Sequence, residues 1–134
     1  MREIKNKKMK ELTKAEEQIM QILWKIEEGF VKEIIEHFTK PKPAYNTVST
    51  IIRILEDKGF VNHKSFGRTH QYFPVVSKKE YTKKFANKLV QNYFSGSLKQ
   101  MMSFFSKEEN LSVSELEELK AEMDKLIKNK KITK

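Results

Sequence analysis

Apolar positions repeat along this chain first with a helical period, then an extended one, then a helical one again. Ala15, Ile19, Ile22, Leu23 and Ile26 follow Thr13 and Glu16, a T-x-x-E box that caps an N-terminus, and predict a first helix over about 14–27. Gly29 reads as its stop, and Phe30 with Val31 as a short extended link. Val31, Ile34, Ile35 and Phe38 stand at i, i+3, i+4 and i+7 and predict a second helix over about 31–39, with Lys32, Glu33, Glu36 and His37 on its other face. Pro41 and Pro43 forbid continuous helix, so the KPKP connector redirects the chain. The most regular stretch comes next, AYNTVSTIIRILEDKG over residues 44–59. Val48, Ile51, Ile52 and Leu55 make one buried stripe, while Asn46, Ser49, Thr50 and Arg53 repeat the same spacing on an opposed polar face.

Lys58-Gly59 is a helix C-cap, after which the period shortens to two. Residues 60–65 and 69–73 are rich in aromatic and β-branched side chains and are separated by Phe66-Gly67-Arg68, the pattern of a β-hairpin. Three helices followed by a two-stranded hairpin form the winged variant of the helix-turn-helix, in which the third helix enters the major groove and the hairpin touches adjacent backbone.

The remainder is helical. Ser77 and Glu80 form a second capping box ahead of Tyr81, Phe85, Leu89 and Tyr93 at i+4 steps, with Val90 and Phe94 beside them. Ser95-Gly96-Ser97 interrupts, and Leu98, Met101, Met102, Phe104 and Phe105 follow. Leu111 and Leu116 staple a third box, Ser112 to Glu115, and a last helix reaches about residue 128 with Leu116, Leu119, Met123, Leu126 and Ile127 on one face. This segment carries more apolar surface than its length can hide internally, so association is expected through Phe85, Leu89, Tyr93, Leu98, Met101, Met102, Phe105, Leu116, Leu119 and Met123. A Met and aromatic stripe of this kind is read as core or interface rather than a cofactor box, and no cofactor is expected. The expected fold class is mostly α with a small β wing, residues 1–76 forming a winged helix-turn-helix DNA-binding domain and 77–134 a helical dimerisation arm.

Composition supports this division. In 134 residues, 38% hydrophobic and 34% charged side chains with only 4 Gly and 3 Pro describe a helical, well solvated globular protein. Lys and Arg total 27 against 18 acids, a net charge of +9, which favours a polyanionic partner: nucleic acid, with a membrane surface as the rival. Lys40, Lys42, Arg53, Lys58, Lys64 and Arg68 bracket the third helix against only Glu56 and Asp57 at its end. The basic run 2–10 reads as a solvated end or a phosphate-binding arm. A face without acids suits the major groove, where a carboxylate would be repelled by phosphates on both sides. The candidate DNA-binding residues are Asn46, Ser49, Thr50 and Arg53 on this face, with Lys42, Tyr45, Lys64 and Arg68 beside it.

Several chemistries find no support. No apolar run reaches membrane-spanning length and no secretory signal follows the basic start, so the cytoplasm is expected. The absence of cysteine excludes disulfides, thiolate metal sites and a thiol nucleophile. His37, His63 and His70 lack metal-ligand spacing; His63 and His70, on neighbouring wing strands, read as a surface pair or a phosphate contact. No G-x-S-x-G, phosphate-cradling Gly loop or isolated carboxylate pair is present, and Glu115, Glu117, Glu118 and Glu122 read as solvated faces, so no metal and no enzymatic activity are expected. Two alternatives remain at this level. One is a winged-helix protein-interaction module, basic only for solubility. The other is a small-molecule-responsive repressor, for which the arm shows no convergent polar cluster.

The residues resemble the penicillinase repressor family (BlaI, MecI and CopY type) of bacterial winged-helix repressors. The likeness rests on LTKAEEQIMQILW from Leu12, NTVSTIIRILEDKG from Asn46, Gly67-Arg68, Gln71-Tyr72 with Pro74, and EENLSVSELEEL from Glu108; Ile54 between Arg53 and Leu55 is a small departure. The resemblance implies a homodimer interlocked through its C-terminal helices on a palindromic operator of double-stranded DNA. Base contacts would fall on Asn46, Thr47, Ser49 and Thr50, with Arg53 and Arg68 on phosphate or supporting the site. Several relatives carry Lys or Arg where this chain has Ser49, so operator preference is expected to differ and affinity to lean on Lys42, Lys64 and Arg68. The resemblance also implies control of antibiotic-resistance genes and a membrane sensor protease system whose signal leads to repressor cleavage, typically at an Asn-Phe bond. The matching stretch reads Met102-Ser103-Phe104-Phe105, which places the expected cut at Ser103-Phe104 or Phe104-Phe105; the alternative reading is that these phenylalanines are simply dimer core, and the two are compatible. Copper-responsive members use Cys-x-Cys pairs, and this chain has no cysteine.

Overall fold

A computed structural model describes residues 10–133; the basic run 2–9 lies outside the described residues. The chain forms two compact units, the first running through Phe85 and the second from Ala86. In the first, α1 (Lys14–Ile26), β1 (Gly29–Phe30), α2 (Val31–Glu36), α3 (Tyr45–Asp57), β2 (Val61–Phe66) and β3 (Thr69–Pro74) make a three-helix, three-strand winged helix, with α4 (Lys78–Phe94) beginning on it. The sheet is antiparallel in the order β1-β3-β2.

Each boundary has a local cause. Thr13 caps α1: its Oγ1 accepts from Glu16 N–H at 3.2 Å and Glu16 Oε1 accepts from Thr13 N–H at 3.0 Å. The helix closes not at Gly29 but at Glu27, which takes φ 76 and donates its N–H to Leu23 O at 2.7 Å. Gly29 is instead in β1, where an added Cβ would stand 2.8 Å from Ile26 Cδ1. The expected extended link is thus a third strand, Gly29 facing Tyr72 and Phe30 facing Gln71. Helix α2 stops at Glu36, short of the expected residue 39, because Lys42 Nζ donates to Glu36 O at 2.9 Å and Phe38 O at 3.3 Å. Helix α3 ends as expected: Gly59 takes φ 89 and Phe60 N–H donates to Leu55 O at 2.9 Å, the closing bond of a Schellman cap. At the hairpin Phe66 pairs with Thr69, so the loop is two residues long, with Gly67 at φ 64 where a primed turn needs a residue without Cβ.

Ile19, Met20 and Leu23 of α1, Val31 and Ile34 of α2, Val48, Ile52 and Leu55 of α3, and Phe60, Val61 and Tyr72 form the core. The expected stripe on α1 is rotated: Ala15 is exposed, Ile22 and Ile26 are half-buried, and Glu16 and Met20 are buried in their place. Glu16 tolerates burial because Lys58 Nζ lies 2.9 Å from both carboxylate oxygens. Burial alone would raise this carboxyl, but the bonds from Lys58 and Thr13 and the Lys58 charge outweigh it and hold it below its ordinary value.

The first two turns of α4 belong to this unit. Ser77 and Glu80 close their capping box, Tyr81 Oη accepts from Leu12 N–H at 2.9 Å, and its ring lies 6.1 Å from Trp24 and 5.9 Å from Phe60. Trp24 Nε1 donates to Val76 O at 2.9 Å, so the segment around the expected 76/77 boundary is held down on both sides.

The second unit contains the rest of α4, α5 (Leu98–Glu108) and α6 (Val113–Thr133). Ser95 and Gly96 at positive φ end α4, Ser97 Oγ caps α5 through Gln100 N–H at 3.0 Å, and the Ser112–Glu115 box opens α6. The last helix extends past the expected residue 128.

Candidate nucleic-acid interface

The buried stripe of α3 fixes its roll. With Val48, Ile52 and Leu55 turned into the core and about 100° per residue, Asn46, Thr50 and Arg53 lie opposite the stripe. Tyr45 and Ser49 take the flank toward the wing, and Thr47 and Ile54 the other flank. Asn46, Thr47, Thr50 and Arg53 are exposed and Ser49 is half-buried. Ile51, expected inside, is also only half-buried. The first turn of α3 has no acid. Of the two acids at its end, Glu56 is turned to the wing, where its Oε2 lies 2.9 Å from His63 Nδ1.

Beside this face runs a groove of about 500 Å³ with three walls. Tyr45, Ser49 and Arg53 come from α3; Arg68, Thr69, His70 and Tyr72 from the wing; Phe30, Val31, Lys32 and Glu33 from β1 and α2. Glu33, the acid among them, is occupied as a cap, its Oε1 accepting from Phe30 N–H at 2.9 Å. His70 is stacked on His63, with centroids 4.0 Å apart and planes at 9°. Burial, then the nearby Glu56 carboxylate, raises the Tyr72 phenol above its ordinary value, so Tyr72 presents a neutral hydroxyl. Among the described residues neither Arg53 nor Arg68 is held in an ion pair.

The expected residues therefore divide. Tyr45, Ser49, Arg53 and Arg68 share the groove, and Asn46, Thr47 and Thr50 lie on the adjoining exposed face of α3. Lys42 and Lys64 are placed elsewhere. Lys42 closes the end of α2, as described. Lys64 alternates with His63 and so points to the opposite side of the sheet, 3.3 Å from Glu28 Oε1 and 5.9 Å from the centre of the Phe73 ring. Lys32 and Thr69 join the groove without having been marked by the sequence; Lys32 showed only as one polar position on the outer face of α2.

The profile of the penicillinase repressor family matches residues 12–125. The chain belongs to this family. It is a family of transcriptional repressors rather than enzymes. The chain is 27% identical over 114 residues to the penicillinase repressor of Bacillus licheniformis, covering 84% of this chain and 89% of that one. It is 28% identical over 116 residues to the methicillin resistance regulatory protein MecI of Staphylococcus aureus (strain N315), covering 86% and 94%. Among solved structures it is similar to the DNA-binding domain of the repressor BlaI, with 28% identity, a TM-score of 0.48, and coverage of 55% of this chain and 92% of that one.

In this family member the second unit buries nothing fully: among its described residues every side chain is exposed or half-buried. Leu89, Phe94, Met101, Met102, Phe104, Phe105, Leu111 and Leu119 line an apolar cavity of about 770 Å³, which Glu115 and Glu118 also border. Phe94 and Phe104 meet with centroids 5.7 Å apart. Of the other expected dimer residues, Tyr93 is 75% exposed, and Leu98, Leu116 and Met123 are exposed. Phe85 lies in the first unit, stacked on Tyr81 at 6.2 Å. Ser103, Phe104 and Phe105 stand in the middle of α5, all exposed. Among the described residues no helix is long and apolar enough to cross a membrane.

Proposed function

We propose that this repressor binds a two-fold operator in double-stranded DNA as a homodimer, with α3 in the major groove. The observation that carries this reading is the acid-free, exposed face of α3 beside a cationic groove, on a winged helix whose core fixes that face outward. Asn46, Thr47, Ser49 and Thr50 are the base-edge candidates: an amide can pair bidentately with adenine, and hydroxyls accept or donate as the base requires. Arg53 and Arg68 supply phosphate contacts. Binding of the purified chain to its own upstream DNA, followed by footprinting, tests the reading. A protected inverted repeat is expected, with Asn46→Ala and Arg53→Ala each weakening binding by about 1–3 kcal/mol on an intact fold. Unchanged affinity in both variants would overturn it.

The homodimer reading rests on the second unit, whose apolar cluster lacks any fully buried member in one chain. Names of the relatives, a penicillinase repressor and a methicillin resistance regulator, support antibiotic-resistance genes as the target class. Release by proteolysis at Ser103-Phe104 or Phe104-Phe105 is part of the same proposal. A cut there would divide α5 inside the cluster that holds the arm together, and a membrane sensor protease system would be its source. Mass mapping of fragments after induction tests the position.

A further inference from the structure

We propose that the groove between α3 and the wing seats a stretch of the duplex sugar–phosphate backbone, and that Lys32 of α2 holds it there together with Arg53, Arg68 and His70. The inference rests on the DNA-binding reading and adds a third element to the interface. Lys32, Arg53 and Arg68 reach one concavity from α2, α3 and the wing, separate pieces of chain that only the fold brings together. Lys32 is exposed, and the acid beside it, Glu33, already accepts the Phe30 N–H. The remaining polar lining, from Thr69 and the hydroxyls of Tyr45 and Tyr72, can donate to an acceptor-rich ligand, while the aromatic rings offer flat apolar surface to a sugar. Bases are approached from the side of Asn46 and Thr50, which do not line this groove. What enters it is therefore backbone, recognised without regard to sequence.

The test is binding of the full chain to a duplex bearing its upstream inverted repeat and to a random duplex, across a salt series. Lys32→Ala is expected to weaken both complexes about five-fold at roughly 0.15 M salt and to make the slope of log K against log salt shallower by about one; Lys32→Arg is expected to restore both. His70→Gln is expected to weaken both complexes in the same sequence-independent way, with thermal melts verifying that the hairpin remains folded. If Lys32→Ala leaves affinity and slope unchanged while Arg53→Ala loses affinity, the proposed seat is wrong and the DNA-binding reading stands. A wild-type chain that binds neither duplex overturns both. Lys32-dependent protection against thermal unfolding by inorganic phosphate at about 10 mM, together with duplex affinity and salt slope unchanged in Lys32→Ala, would show a site for free anions instead and would also overturn the proposal.

Discussion

Single residues show how the first unit resolves opposing demands. Glu16 is buried with a negative charge, a placement that costs several kcal/mol unless a cation follows it in, and Lys58 from the end of α3 does so. Lys58→Met is therefore expected to destabilise the unit by about 3 kcal/mol, read from denaturant unfolding, far more than loss of an exposed ion pair. Because the Glu16 carboxyl is held below its ordinary value, its contribution is full above the normal carboxylate range and is lost as pH falls through the lower folded value. Glu16→Gln should consequently flatten the acid limb of stability below about pH 4.5, measured by thermal melts from neutral to acid pH. Left-handed positions make a second contrast. Gly59 at φ 89 follows its local code, and Gly59→Ala should cost about 1 kcal/mol. Glu27 at φ 76 does not, and Glu27→Gly should raise stability by about 0.5–1 kcal/mol.

Among the elements, α3 was the most readable and α2 the least. The four-residue polar repeat on α3 lies where its spacing requires, because three buried apolar side chains set the helix roll. Helix α2 is only six residues long, and its end is decided by a lysine six positions beyond Glu36, a bond that no periodicity encodes. The extended link expected at Phe30 and Val31 lies one residue earlier for a similar reason: two residues carry no period, and Gly29-Phe30 becomes a strand only when β3 lies beside it. Helix α4 shows a face shared between tasks, since Tyr81 looked like one more member of an i+4 arm stripe but binds Leu12 and packs on Trp24 and Phe60. Tyr81→Ala is expected to lower the stability of the winged unit by about 2–3 kcal/mol, seen as an earlier melt of the transition that reports Trp24 fluorescence.

For the molecule as a whole, the two units differ in how completely each hides its apolar surface. Among the described residues the winged unit has twelve buried hydrophobic side chains, Leu12 to Tyr72, and the second unit has none. On the proposed homodimer such a unit draws its stability from association, and its melting temperature should then rise with protein concentration. Leu119→Glu, placed on the apolar cavity, should convert the protein to monomer in sedimentation equilibrium and sharply weaken operator binding while the winged unit still melts as before.

Sequence alone determined the capping boxes, the hairpin turn, the two-faced α3, the basic balance and the unhidden apolar stripes of the arm. All of these arise between residues a few positions apart, where spacing and side-chain chemistry act directly. Tertiary structure decided which cations share the groove beside α3. Lys42 and Lys64 were indistinguishable from Arg53 and Arg68 as charges along a chain, yet the first closes a helix and the second turns to the far face of the sheet against Glu28. Lys32 joins Arg53 and Arg68 at one groove for the complementary reason. Convergence of charges from three distant segments depends on how helices and wing pack, and a pairing of that kind leaves no period in the sequence.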